Sequence, residues 1–234
     1  MRSFSNTYIF IFSVIMVVVI ALLLSLAAMQ LKPYQDKNIE IEKKRNILAS
    51  IRIPSTVDNA VDLYAKYITS SFVINNKGEK KDGTDAFTVD MKAEIGKPSG
   101  ERSLPVFVGS LEDSSRAYVV PLRGKGLWGP IWGYISFQPD LNTVYGVVFD
   151  HQGETPGLGA EINLDWFQKP FYGKKIFEDS VKFVSIKVLK GGAPKDNNHA
   201  VDAISGGTIT SKCLEAMLDS CLVQYKTYFI ENRQ

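Results

Sequence analysis

Cysteine and histidine are scarce in this chain: two residues of each kind occur among 234. Cys213 and Cys221 lie eight positions apart in a segment with helical periodicity, which separates them by about 12 Å along a helix axis. A disulfide requires Cα atoms within about 7 Å, so a scaffold held by disulfides is excluded. His151 and His199 are not spaced with other candidate ligands, so the sequence does not indicate a metal site.

An excess of charge of either sign is also absent. The 27 lysines and arginines nearly balance the 25 aspartates and glutamates, which leaves a formal net charge of +2. A nucleic-acid-binding domain normally carries a basic patch or stripe that contacts phosphates. The composition therefore excludes RNA or DNA as expected partners, and the chain shows neither internal repeats nor low-complexity tracts.

Between Arg2 and Lys32 the chain has no charged residue, and the residues from Tyr8 to Leu26 are almost all apolar. A helix crosses a bilayer with about 20 such residues. A cleaved signal peptide is the alternative, because Ala27 and Ala28 are small residues near the end of the run. Signal-peptide cores are usually about 7–15 residues long, so the sequence favours a retained transmembrane anchor over residues 1–31.

The charges that flank this anchor bear on the side of the membrane that receives the rest of the chain. Only Arg2 and the terminal amine precede the apolar run, whereas several basic residues follow it closely. The positive-inside rule by itself would therefore keep the following domain in the cytoplasm. The basic residues are Lys32, Lys37, Lys43, Lys44 and Arg45.

Residues 32–75 form a membrane-proximal segment with helical patterning. Pro33 predicts a break after the anchor, and apolar residues recur on a charged background from Asn38 to Ile53. Ser55 and Asp58 resemble a capping box, which predicts a second helix that continues to Ile68.

Residues 76–234 have the pattern of an α+β domain with an antiparallel sheet flanked by helices. Short apolar and β-branched runs bounded by Gly, Pro or Asp predict strands. The segment from Thr210 to Tyr225 has the apolar periodicity of a helix. The predicted strands are 104–109, 117–122, 131–137, 144–149 and 181–189.

Two glycine-rich strings resemble nucleotide-binding motifs but lack their context. Residues 124–129 match G-x-G-x-x-G, yet Pro130 and a strand-like run follow where the motif requires a helix, so a hairpin is predicted. Residues 205–212 lack the spacing of a P-loop. Gly206 and Gly207 nevertheless precede a helix whose free N–H groups suit a phosphate.

The string Val201-Asp-Ala-Ile-Ser-Gly-Gly-Thr208 resembles the flavinylation motif of the FMN-binding domain family. That motif has an Asp, two further residues, and then Ser/Thr-Gly-Ala/Gly-Thr. In the family the last threonine forms a phosphoester with FMN, installed from FAD by a magnesium-dependent flavin transferase. The resemblance implies one covalent FMN on Thr208, with Asp202 and Ser205 as motif companions. Gly207 stands where Ala is usual.

Two further strings resemble the same family. Residues 152–161 are similar to its flavin-cradling loop, and residues 124–134 are similar to a segment typical of NqrC, the flavin-carrying family of the sodium-pumping NADH:quinone oxidoreductases. The sister family of the Rnf complexes matches the second string less well. The cofactor-binding residues that the resemblance implies are Thr208, Asp202, Ser205, Gly206, Gly207, Glu154, Thr155, Gly157, Leu158 and Trp128.

The resemblance implies an electron-transfer subunit of a membrane redox complex, with the other subunits, the transferase and the membrane as partners. It places the FMN domain on the periplasmic side of the bacterial inner membrane, against the flanking charges. The sequence shows no NADH site of its own. Two alternatives stay open: an Rnf-type homologue, and an anchored binding or assembly module without covalent flavin.

Overall fold

The computed structural model describes residues 5–111 and 115–233. The chain divides into two compact units, residues 1–43 and 44–234. The first unit is formed by helix α1, which runs from Asn6 to Ser50 and so extends into the second unit. Among the described residues, α1 is the one helix that is long and apolar enough to cross a membrane.

Helix α1 continues through Pro33, so the predicted break at this residue is wrong. A proline inside a helix removes one backbone hydrogen bond, here the one to the carbonyl of Met29, and crowds the preceding turn. Only this one hydrogen bond is lost, because the backbone hydrogen bonds of the helix continue on both sides of the proline. Lys32 also pairs with Asp36 across this position, at 3.0 Å.

The second unit is built on a six-stranded sheet in which every neighbouring pair is antiparallel. The strand order is β2-β1-β3-β4-β5-β6, and two short strands, β7 and β8, form a separate parallel pair. The strands are β1 (Ile68–Ile74), β2 (Lys80–Lys81), β3 (Leu104–Ser110), β4 (Arg116–Lys125), β5 (Pro130–Phe137), β6 (Val144–His151), β7 (Lys187–Leu189) and β8 (Ala200–Asp202).

Helices flank this sheet, so the predicted α+β class with an antiparallel sheet is confirmed. The longest helix of the second unit is α5, which follows β8 after a short glycine-containing turn. The helices after α1 are α2 (Ala60–Tyr67), α3 (Met91–Ile95), α4 (Asp165–Gln168), α5 (Thr208–Leu222) and α6 (Lys226–Asn232), with 3-10 turns at Ala86–Thr88, Ser99–Glu101, Gly159–Asn163, Lys169–Phe171 and Val223–Tyr225.

Both faces of the sheet are covered. Successive side chains of a strand point to opposite faces, and β3 shows this directly: Val106 belongs to one core cluster and Phe107 to the other. Apolar residues of α5 and α6 complete the first cluster, whereas the end of α1 contributes to the second. Burial on both faces explains why six consecutive residues of β3 are buried.

The last turn of α1 is attached to the sheet within the second unit. Ile47 and Leu48 are fully buried. The backbone carbonyl of Ser50 accepts a hydrogen bond of 2.6 Å from the hydroxyl of Ser136 on β5. A Cβ on Gly146 of β6 would overlap the same carbonyl, so glycine allows this close approach.

Several predicted elements have different bounds in the structure. The second helix begins at Ala60 rather than near Ser55, because Asn59 Oδ1 accepts the N–H of Thr56 and holds the preceding turn outside the helix. Residue 68 opens β1, a strand that the pattern did not indicate. Of the strand predicted at 181–189, only the three residues of β7 are in a strand.

Candidate flavin attachment site

Thr208 is the first residue of α5, directly after Gly207 at the N-cap position. No side chain caps this helix start, so first-turn N–H groups lack the capping partner that Ser, Thr, Asp or Asn would supply. Thr208 is half-buried, and the part of the chain that the structure describes shows no hydrogen bond to its hydroxyl. A free hydroxyl therefore lies at an uncapped, electropositive helix end.

The two glycines before Thr208 bring this turn against the loop that follows β6. Gly206 has a φ of 76°, which favours glycine, and a Cβ there would lie 2.6 Å from Leu158 Cδ2. A Cβ on Gly207 would lie 2.9 Å from Ile204 Cγ2 and 3.3 Å from the backbone carbon of Leu158. The predicted residues Gly206, Gly207 and Leu158 are thus neighbours in space.

The loop after β6 is a tight turn centred on Thr155. The backbone carbonyl of Thr155 accepts hydrogen bonds from the N–H groups of Leu158 and Ala160, each at 3.1 Å. Gly157 has a φ of 74°, which allows the chain to reverse. The turn leaves the side chains of Thr155 and Leu158 exposed, and Leu158 lies against the glycines that precede α5.

Glu154 differs from its neighbours in this loop because it is buried, with 4% of its surface exposed. Its Oε1 accepts the backbone N–H of Trp128 at 3.0 Å, and its Oε2 accepts the hydroxyl of Thr210 at 2.6 Å. Its own N–H donates to His151 Nδ1 at 3.3 Å. Glu154 therefore links the loop after β6 to the β4–β5 turn and to α5.

Trp128 lies in the turn between β4 and β5, which is closed by a 2.7 Å hydrogen bond from the N–H of Gly126 to the carbonyl of Gly129. The hairpin predicted at residues 124–129 is confirmed. The Trp128 side chain is 67% exposed although its backbone N–H is held by Glu154. An aromatic surface on a fixed backbone is available near the end of this turn.

The electrostatics of the site involve one buried acid and few neighbouring charges. Burial raises the pKa of the Cys213 thiol on α5, the charge of Glu154 raises it further, and Lys125 opposes this increase.

His151 lies at the start of the same loop. Since its Nδ1 accepts a hydrogen bond from the N–H of Glu154, its Nε2 carries the proton in the neutral ring. This Nε2 is buried, and the described residues offer it no partner.

Two predicted site residues are oriented differently from the rest. The Asp202 carboxyl accepts the N–H of Ala193 at 2.6 Å, which engages it in the loop before β8. Ser205 is exposed, and no side-chain hydrogen bond of Ser205 is present within the described ranges. Neither residue is joined by a hydrogen bond to Thr208 or to the loop after β6 among the described residues.

Sequence reasoning missed two buried polar residues in the first turn of α5. Thr210 is 2% exposed and bonds Glu154, and Ser211 is 1% exposed and accepts the N–H of Ile204 at 3.1 Å. The signal was present in the pattern: Thr210 precedes Cys213 and Leu214 by three and four positions, so it lies on the apolar face of the helix. A buried hydroxyl on such a face needs a partner.

These features suit a phosphoester-linked flavin. No described residue hydrogen-bonds the hydroxyl of Thr208, and the uncapped helix start offers N–H groups to a phosphate. The two preceding glycines let Leu158 approach this helix start closely. Exposed Trp128 and Leu158 offer apolar surface to a ring. By contrast, residues 5–111 and 115–233 contain no group of three or more His, Cys, Asp or Glu side chains that could hold a metal ion.

Comparison with known proteins identifies relatives that match most of the chain. Residues 126–223 match the FMN-binding domain family. The C subunit of the Na(+)-translocating NADH-quinone reductase of Vibrio vulnificus strain YJ016 is 32% identical over 217 residues, which cover 86% of this chain and 84% of the relative. The corresponding protein of Haemophilus ducreyi is 34% identical over 215 residues, and the match covers 85% of this chain and 82% of the relative.

Solved structures agree with these relatives. The crystal structure of the same reductase component from Parabacteroides distasonis has a TM-score of 0.78 and 43% identity, and the match covers 85% of this chain and 96% of that one. Shewanella oneidensis NqrC has a TM-score of 0.70 and 28% identity, with 82% and 96% covered. The chain therefore belongs to the NqrC family, the C subunits of the Na(+)-translocating NADH-quinone reductases.

Proposed function

We propose that this chain is the electron-transfer component NqrC of a sodium-pumping NADH:quinone reductase and that it carries one FMN covalently on Thr208. Family membership and the FMN-binding domain at residues 126–223 support the assignment and the cofactor. The observation that carries the attachment site is the free Thr208 hydroxyl at the uncapped start of α5. A competing hydrogen bond or a side-chain cap would obstruct a phosphate at this position.

The attachment is a phosphoryl transfer with a defined balance. The Oγ of Thr208 forms a bond to the phosphorus of the FMN half of FAD, and the pyrophosphate P–O bond breaks. AMP leaves, and the proton of the Thr208 hydroxyl is released. A flavin transferase with magnesium supplies the catalytic groups, so this chain contributes the nucleophile and its presentation.

The residues around Thr208 would hold the attached group. N–H groups of the first turn of α5, together with the positive end of the helix dipole, would bind and partly neutralise the phosphate. The loop at 152–159 would contribute Thr155, Gly157 and Leu158, of which Leu158 lies against Gly206 and Gly207. Trp128 offers a face against which an aromatic ring can stack. The flavin supplies the redox chemistry once bound.

Electron relay requires partners, because residues 5–111 and 115–233 form no dinucleotide-binding fold. The G-x-G-x-x-G string at residues 124–129 lies in a β-hairpin and cannot place a pyrophosphate at a helix start. Electrons therefore enter and leave through neighbouring subunits of the complex. Thr208 is half-buried, and Ile209, the next residue, and Trp128 are exposed, so partners would have access to a flavin held between them.

The membrane assignment rests on α1 and on family membership. Residues 1–31 form a single-pass anchor in the bacterial inner membrane, residues 32–75 the membrane-proximal segment, and residues 76–234 the FMN-binding domain. The FMN domain lies on the periplasmic side, where the transferase acts. Protease treatment of intact spheroplasts should degrade the domain, and a domain protected until the membrane is lysed would contradict this orientation.

The deciding experiment is the intact mass of the denatured full-length chain after co-expression with an active flavin transferase. The wild-type chain should gain the mass of one FMN less one water, and Thr208→Ala should gain nothing. Thr208→Ser retains a hydroxyl and should be modified in part. An unmodified wild-type chain, with a control substrate modified in the same cells, would favour a binding or assembly module without covalent flavin.

A further inference from the structure

The Glu154 carboxyl occupies a slot that glycines leave open. A Cβ on Gly126 would overlap Glu154 Oε1, and a Cβ on Gly159 would lie 2.5 Å from Oε2. Neither glycine has a positive φ, so conformational freedom does not explain glycine at these positions. Close approach to the carboxyl does explain it, and the two glycines belong to two different segments of the chain.

Both oxygens of this carboxyl are occupied by donors of the protein. Oε1 accepts from the backbone of Trp128, and Oε2 accepts from the hydroxyl of Thr210. Because the side chain is turned inward and 4% exposed, it is poorly placed to contact a flavin on the surface. The geometry indicates a structural connection between the loop, the hairpin turn and the helix rather than a direct flavin contact.

Thr210 completes this connection from the helix side. It is buried and lies two residues after Thr208 in the same first turn of α5. A threonine in a helix can bond the carbonyl four residues earlier, but here its hydroxyl donates to Glu154 across 56 positions of sequence. Since the backbone of one helical turn is rigid, the position of Thr210 determines the position of Thr208.

We propose that Thr210 is a positioning residue for flavin attachment: through its hydrogen bond to Glu154, it holds the Thr208 hydroxyl in register with the loop at 152–159 and the turn at 126–129. This inference rests on the proposed function, namely covalent flavin on Thr208. Without the bond, the first turn of α5 and the loop move independently, and the hydroxyl spends less time in the geometry that the transferase requires.

The test compares the full-length chain with variants during co-expression with the transferase, and follows the rate of phosphoester formation by intact mass. Thr210→Val keeps the shape and removes the donor, so the rate should fall at least about 10-fold. Thr210→Ser keeps a hydroxyl and should stay within about 2-fold of wild type. Ser220→Ala, which removes a hydroxyl bonded within the same helix, is the matched control and should not change the rate.

Amide hydrogen exchange of the flavin-free chain separates this inference from the proposed function. In Thr210→Val, exchange should accelerate about 5-fold or more at residues 126–129, 152–159 and 208–211, while the central strands keep their protection. Thr210→Ser should resemble wild type. If wild type receives no flavin, the proposed function fails, whereas the exchange data still decide whether the connection exists.

Three results would overturn the inference. The first is a Thr210→Val chain that is flavinylated at the wild-type rate. The second is unchanged exchange in the three segments. The third is an increase of exchange spread evenly through the sheet and α5, which would show a general loss of stability instead of a lost connection.

Discussion

Gly159 lies so close to Thr210 that a Cβ built on the glycine would overlap the threonine hydroxyl and lie 3.0 Å from the threonine Cβ. The same Cβ would lie 2.5 Å from Glu154 Oε2. The missing side chain at position 159 is therefore what allows the loop after β6 to lie against the first turn of α5.

Gly159→Ala should destabilise the second unit, because the methyl group must displace Thr210, Glu154 or both. Overpacking of this kind costs about 1–3 kcal/mol. The free energy of unfolding of the full-length chain in detergent, measured by denaturant titration, checks this value. Gly153→Ala is the control: a Cβ there meets its nearest atom at 3.7 Å, so it should cost less than about 0.5 kcal/mol. Equal losses in both variants would contradict the steric explanation.

Arg52 follows the end of α1 and has a left-handed backbone conformation, and its side chain makes two cation–π contacts that offset the cost of this conformation. Its φ is 61°, and the N–H groups of Arg52 and Ile53 close the helix on Ala49 and Leu48 at 2.9 Å and 3.0 Å. The guanidinium carbon lies 4.4 Å and 4.1 Å from two ring centroids, those of Tyr145 and Tyr172. The strained residue is thus held between two aromatic rings.

Arg52→Ala should be more destabilising than Arg52→Gly by about 1 kcal/mol. Both substitutions remove the cation–π contacts, but only glycine also relieves the left-handed backbone. Denaturant titration of both variants gives the difference. Equal stabilities, or a less stable glycine variant, would show that the backbone at residue 52 carries no strain.

Stability should decline at alkaline pH because of buried phenols and thiols. Burial raises the pKa of Tyr225 well above its usual value, and burial, with a smaller contribution from Tyr118, raises that of Tyr228 to about 12. Burial also raises the pKa of the Cys221 thiol. The unfolded chain loses these protons first, so the stability present below pH 9 is lost as pH rises, from about 9 for the thiol and about 10 for the phenols.

Tyr228→Phe should weaken this alkaline decline. A pKa raised from 10.0 to about 12 corresponds to about 2–3 kcal/mol of stability lost between pH 10 and 12. Unfolding free energies at pH 8, 10 and 11 measure the slope for wild type and variant. An unchanged slope in Tyr228→Phe would refute this explanation.

Tyr225→Phe should lose about 1 kcal/mol of unfolding free energy at pH 8, because the Tyr225 hydroxyl donates to the Pro105 carbonyl at 3.1 Å.

Flavin attachment should quench tryptophan emission if the ring lies against Trp128. This side chain is 67% exposed, and its backbone is linked through Glu154 and Thr210 to the first turn of α5, so its emission should change when a ring covers it. Emission of the wild-type chain should fall on flavinylation, and Trp128→Phe should lose most of that quenching. Trp132→Phe, in the middle of β5, is the comparison and should retain it. Quenching that persists fully in Trp128→Phe would place the ring elsewhere.

The sequence predicted those strands whose signals are local. Strands β3 to β6 combine apolar and β-branched residues with bounding turns, and the structure places each within a few residues of the prediction. Strand β1 lacks such a signal because Thr69, Ser70 and Ser71 interrupt its apolar residues. It forms through pairing with β3, whose paired residues lie 30 to 41 positions away along the sequence. Pairing over that distance is decided by the tertiary fold.

The candidate site also has one part that the sequence predicts and another part that only the tertiary structure shows. The motif at residues 202–208 predicts Thr208 as the attachment residue from the sequence alone, and this assignment stays a prediction until the mass is measured. The structure adds that Thr208 opens α5 and that Gly206 and Gly207 lie against Leu158. Chain composition and motif spacing could not show this contact, because the two segments are about 50 positions apart.

What the sequence by itself determined is the apolar anchor, the α+β class and the family motifs, since each depends on residue type and short-range spacing. Only the tertiary structure decided that Glu154 is buried, that Thr210 is its partner, and that Gly126 and Gly159 make room for both. The physical reason is that a buried carboxyl needs donors, and the donors come from segments that meet only when the sheet and α5 are packed together.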